Sequence, residues 1–233
     1  MSRSLALALF AGASAAAPLA QPWADHADAL GVVPAGAFQV EASADHTVDQ
    51  PRQTDAGVLL RWGFAPRWEL RAGLPTYSRT FSSSGLGDPT VGAKIEAGAL
   101  AGWSAAAIGE VSLPLGGAFS RSTPEFALAA MAGRDLAAQF AVEVVGELAY
   151  RLRDGAAVGG AAIVLSRPVV GPVEASVEIA AAIEALEVAA VVVESGVAVL
   201  LTERLQFRGY AALGIGGRGV PDAVVGIGAS VRF

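Results

Sequence analysis

Among the 233 residues of this chain, His26 and His46 are the only histidines, and cysteine is absent. Nucleophilic catalysis needs a nucleophile, a base and an orienting group within hydrogen-bond reach. Ser82, Ser83 and Ser84 offer hydroxyls, and His46 follows Asp45, but a serine run of this kind reads as solvated loop. His26 precedes the first patterned segment. No catalytic residue is assigned, and the chain is not read as an enzyme; a lipid hydrolase is the weakest of the alternatives. The stretch GIGGRG at 214–219 lacks the following helix that a phosphate-cradling glycine loop requires, so no cofactor is expected. No spacing suits a metal.

The charged residues carry a different chemistry. Glu41, Arg61, Glu69, Arg71, Lys94, Glu96, Glu110, Glu143, Glu147, Glu174, Glu178, Arg208 and Arg232 sit in segments where apolar residues occupy the alternate positions. Period-two alternation puts charge on one face of a strand and hydrocarbon on the other. Facing one another, such residues would line a lumen with ion pairs and water. Glutamate outnumbers arginine and lysine in this set, so a preference for cations over anions is expected.

The elements that would hold them are about twelve segments of roughly ten residues, the length a tilted strand needs to cross a bilayer. In FQVEASADH, Phe38, Val40, Ala42 and Ala44 oppose Gln39, Glu41, Ser43 and Asp45. In the second segment Val58, Leu60, Trp62 and Phe64 share a face, and in WELRAGLP Trp68, Leu70, Ala72 and Leu74 do. A turn at Ala65, Pro66 and Arg67 would set Trp62 across from Trp68 and Arg61 across from Glu69, a favourable opposite-charge pair. Similar segments follow to the final VVGIGASVRF, whose alternation runs to Phe233. The stretch around 178–194 is rich in Ala and Glu and allows a helix. Its valines, with Pro172 and Gly196 flanking, favour strand. Short connections follow the even segments, and longer polar or glycine-rich ones follow odd segments, as in a barrel with short periplasmic turns.

Aromatics sort in the same way. Phe38, Phe64, Trp68, Trp103, Phe140, Phe207 and Phe233 fall on the apolar face, at the segment ends assigned to the periplasmic interface. Rings gather at headgroup depth because they offer an apolar body and a wettable edge. A secreted sandwich would need larger core residues than the Ala and Gly found at many apolar-face positions. No stretch is long and charge-free enough for a spanning helix, and Glu184, Glu187 and Glu194 interrupt the richest one. The formal charge of −6 argues against nucleic acid. Arg3, the apolar run from Leu5 and the small residues at 13–17 read as a signal peptide, residues 1–17, with cleavage near 15–17. Residues 18–37 then form a periplasmic segment, and 38–233 a transmembrane up-and-down antiparallel β-barrel. The expected partners are outer-membrane lipid, a small-molecule solute and, through the terminal aromatic Phe233, the barrel-assembly machinery.

Four stretches carry a family resemblance: PAGAFQVEA at 34–42, WELR at 68–71, GLGDPTVGAK at 85–94 and VSLPLG at 111–116. Together they resemble the outer-membrane transporters named after the MetA pathway of phenol degradation, over nearly the whole of residues 18–233. Leu115 stands where that pattern carries threonine. The resemblance implies an envelope barrel that admits small, often aromatic, compounds. A structural barrel with a plugged lumen is the alternative.

Overall fold

The structure is a computed structural model that describes residues 30–48, 52–120, 123–151, 157–184, 187–217 and 222–233. The expected leader at 1–17, His26 and the rest of 1–29 lie outside the described residues. Among the described residues, fourteen strands form a single antiparallel sheet. They are β1 (Phe38–Thr47), β2 (Gln53–Ala65), β3 (Trp68–Gly73), β4 (Tyr77–Thr80), β5 (Ser84–Leu86), β6 (Thr90–Leu100) and β7 (Trp103–Ser112). Then follow β8 (Glu125–Asp135), β9 (Ala141–Arg151), β10 (Ala157–Val170), β11 (Val173–Glu184), β12 (Glu187–Thr202), β13 (Leu205–Gly217) and β14 (Ala223–Arg232).

The sheet closes on itself because β1 pairs with β14 on one side and β2 on the other. Closure leaves no row of unpaired backbone groups, the condition for a sheet to sit in hydrocarbon. Strand β4 prolongs β3 along β2, and the three-residue β5 folds back on β4, so the closed barrel has twelve staves. Both β11 and β12 are strands through the Ala/Glu-rich stretch, with Glu178 paired to Glu194 and Ala180 to Val192. Inter-strand pairing overrides the local helix preference there.

The β2–β3 hairpin differs from the sequence expectation. Arg61 pairs with Arg71 and Trp62 with Leu70, two residues out of the expected register. The turn is tighter: Ala65 pairs with Trp68, leaving only Pro66 and Arg67 in the loop, and Arg67 takes φ 67°. An extra residue on β2 between Gly63 and Ala65 forms a bulge. Proline before a residue of positive φ suits a two-residue turn, and the bulge absorbs its twist. A slip of two keeps every side chain on its face, so Arg61 and Glu69 still meet, diagonally.

Large apolar side chains cover the outside. Leu60, Leu70, Leu128, Ile163, Ile179, Val197, Leu213 and Ile227 are all exposed. Phe38 stacks on Trp62 with ring centres 5.7 Å apart, and Phe64 lies 6.1 Å from Trp62 and 6.3 Å from Trp68. This row runs around the end of the barrel where the tight turns lie. Trp103 and Phe140 stand at the same end, beneath the guanidinium groups of Arg134 and Arg167. Phe207 lies near the start of β13 there, and Phe233 exchanges two backbone hydrogen bonds with Phe38 at the seam.

Candidate functional site

The inner wall has two unlike sides. On β1, β2, β3 and β6 the charged residues are packed together. Arg61, 1% exposed, donates to Glu41 at 2.6 Å and to both carboxylate oxygens of Glu69 at 2.7 and 2.8 Å. Arg71 lies 3.8 Å from Glu69 and 2.9 Å from Glu110 on β7, reaching across β6. Lys94 is fully buried, within electrostatic reach of Arg61, Glu69, Arg71 and Glu143. Buried Gln39 donates to Glu41 at 2.6 Å. A carboxylate with two guanidinium neighbours offsets the like charges that direct Arg61–Arg71 pairing brings together.

From β7 round to β11 the wall is acidic and less tightly packed. Glu110 keeps a quarter of its side chain exposed, and Glu143, Glu147, Glu174 and Glu178 are partly exposed. Arg208 forms an ion pair with Glu194 and lies over the ring of Tyr210, 4.9 Å from its centre. Towards the long-loop end, the Tyr210 hydroxyl donates to Asp45. Asp55 accepts from Ser78 at 2.5 Å and from Gln53. Glu96 and Arg232 are half-buried near the turn end, and Arg232 donates to the Glu203 carbonyl.

Of the thirteen charges singled out from the sequence, Glu41, Arg61, Glu69, Arg71, Lys94 and Glu110 form the packed network, Glu143, Glu147, Glu174 and Glu178 are partly exposed, Arg208 pairs with Glu194, and Glu96 and Arg232 lie near the turn end. Glu194 was legible only as a break in an apolar run, although its phase matches the inward face of β12. Asp55 and Tyr210 carried no sign in isolation; they gain meaning only when β2, β4, β1 and β13 are brought together. His46 donates to or accepts from Thr54 at 2.9 Å, while Ser83 bonds Thr80 within its own hairpin. Among the described residues no group of three or more metal-ligating side chains converges.

One feature of the lumen had a sequence signal that was not used, the apolar Leu30, Val32 and Val33 ahead of the first strand. Residues 30–37 lie as a strap against the inner wall at the turn end. The Val33 amide donates to Glu69 at 2.8 Å, tying the strap to the ion network. Val33 is fully buried, and Leu30 packs on Ala106, Ile108 and Met131, with Ala129 and Val145 around them. The strap crosses directly over Gly63, where any Cβ would stand 2.1 Å from the Val33 carbonyl oxygen.

With this geometry in place, comparison shows that residues 24–158 match the family described as "Putative MetA-pathway of phenol degradation". No match is found among curated proteins. Among solved structures, an outer membrane channel from Pseudomonas putida F1 aligns with TM-score 0.69 at 13% identity, over 88% of this chain and 98% of that one. The KdgM porin aligns with TM-score 0.60 at 9% identity, over 84% and 99%. The translocator domain of the autotransporter NalP from Neisseria meningitidis aligns with TM-score 0.60 at 14% identity, over 99% and 97%. At such identities the likeness is one of fold.

Proposed function

Because the chain belongs to the MetA-pathway of phenol degradation family, we propose that it is an outer-membrane channel that passively admits small molecules, aromatic or hydrophobic compounds among them. The observation that carries this reading is the acidic side of the lumen. Glu110, Glu143, Glu147, Glu174 and Glu178 stay partly open to solvent beside a closed wall of hydrocarbon-facing strands. Partly exposed carboxylates inside a closed barrel support the reading of a wet passage that favours cations over anions. The aromatic row at the turn end, with Phe38, Phe64, Trp68, Trp103, Phe140, Phe207 and Phe233, is the interfacial girdle of this reading. The same arrangement supports an outer-membrane address, with export through a leader at 1–17. Recognition by the barrel-assembly machinery would use the alternating closing strand and Phe233, which is 70% exposed.

Reconstitution of the refolded protein in planar bilayers tests the reading. Discrete conductance steps and a reversal potential favouring cations are expected. Neither current nor uptake of uncharged solutes by loaded vesicles would overturn it. The strap and the packed network favour one competing reading, a plugged structural barrel, and that result would select it.

A further inference from the structure

We propose that the niche on the inner wall formed by Ala106, Ile108, Ala129, Met131 and Val145 is a binding site for the apolar part of a small neutral solute, in the place now filled by Leu30. The inference rests on the reading of the barrel as a passage. The niche spans three neighbouring strands, β7, β8 and β9, with Ile108 paired to Ala129 and Met131 to Val145. On β7 and β9 the next inward position on the loop side of the niche is a carboxylate, Glu110 and Glu147, while on β8 it is Ala127 with Glu125 beyond it. Glu143 borders it on the turn side. An aliphatic patch flanked by carboxylates is costly in an aqueous lumen unless something apolar covers it.

Leu30 is that cover, 2% exposed, with its side chain also against Gly133. It is a cover of a particular kind. The strap that carries it is joined to the wall by the Val33–Glu69 hydrogen bond and by the backbone bonds of Gly36 and Ala37 with Gly63, all at or beyond Val33. Among the described residues, the contacts of Leu30 are apolar, three residues from the nearest of these bonds. A neutral solute with an aliphatic or single-ring group offers the niche the same contacts, without bringing charge near the glutamates. Binding and withdrawal of Leu30 are then one exchange, and the solute reaches the passage by displacing the cover.

Fluorobenzene serves as the probe, followed by fluorine NMR on the refolded full chain in micelles, with each variant compared at equal detergent. Leu30→Ala removes the competitor and should tighten binding by roughly tenfold, the scale of a buried aliphatic group's transfer energy. Met131→Gln keeps the side-chain length but puts an amide in the niche, and should weaken binding by a similar factor. If Met131→Gln fails to refold, judged by heat-dependent mobility in gels, Ala129→Ser provides the same readout. Equal affinities in wild type and Leu30→Ala, or no specific binding in any of them, would overturn the proposal. Bilayer currents from the same preparations separate the two ideas. Competition without current keeps the niche and removes the channel, whereas current without competition does the reverse.

Discussion

At the scale of single residues, Arg61 has the most demanding position in the barrel. Its guanidinium joins Glu41 and Glu69 in a region where all three side chains are at most 4% exposed. Forming such a group gains little net stability, because desolvation offsets the attraction, but removing one member leaves buried charge without its partner. Arg61→Ala is expected to destabilise the folded barrel by about 3–5 kcal/mol, read as a lower urea midpoint in lipid vesicles. Arg61→Lys should recover only part of this, since a single ammonium cannot reproduce the fork that spans two carboxylates. A second residue of this kind is Gly226, paired with Tyr210 across β13 and β14. A Cβ there would stand 2.3 Å from the Tyr210 ring and 2.4 Å from an Asp45 carboxylate oxygen. Gly226→Ala should therefore break the Tyr210–Asp45 hydrogen bond, at a cost of about 1–3 kcal/mol from overpacking, again seen in the urea midpoint.

At the scale of elements, the strap at 30–37 and the β2–β3 hairpin depend on each other. The bulge after Gly63 carries the end of β2 past the turn, and Gly63 alone leaves room for the Val33 and Pro34 carbonyls to cross it. Gly63→Val should lift the strap without opening the barrel, whose ladders do not pass through that Cβ. Limited proteolysis checks this: faster cleavage within 30–37 is expected, with the rest of the chain as resistant as before. Cleavage at the wild-type rate would show that the strap does not need the notch.

For the whole molecule, the relevant quantity is the difference between the two sides of the lumen. The basic residues are concentrated in the packed network, while the wet wall is glutamate-rich. The proposed cation preference should therefore follow the wet wall. Replacing Glu143, Glu147 and Glu178 together by Gln is expected to shift the reversal potential in a salt gradient towards zero, with the number of conducting units unchanged. An unaltered reversal potential would place selectivity elsewhere in the lumen.

Much of this could be read before any fold was known, because period two is a local property. Alternation alone sorted Glu69, Arg71 and Lys94 from Trp68, Leu70 and Ile95, and the barrel keeps that sorting residue by residue. The aromatic positions at alternate strand ends were legible for the same reason. Three things were not. The hairpin register depended on a two-residue turn and a bulge, which a two-residue slip hides because faces are preserved. The division of the charges into a packed network and a wet wall depended on which strands close against which, a consequence of β1 meeting β14. The strap's place on Gly63 and in the β7–β9 niche depended on contacts between residues far apart in the chain. Alternation fixes which way a side chain points; only closure of the sheet decides what it meets there.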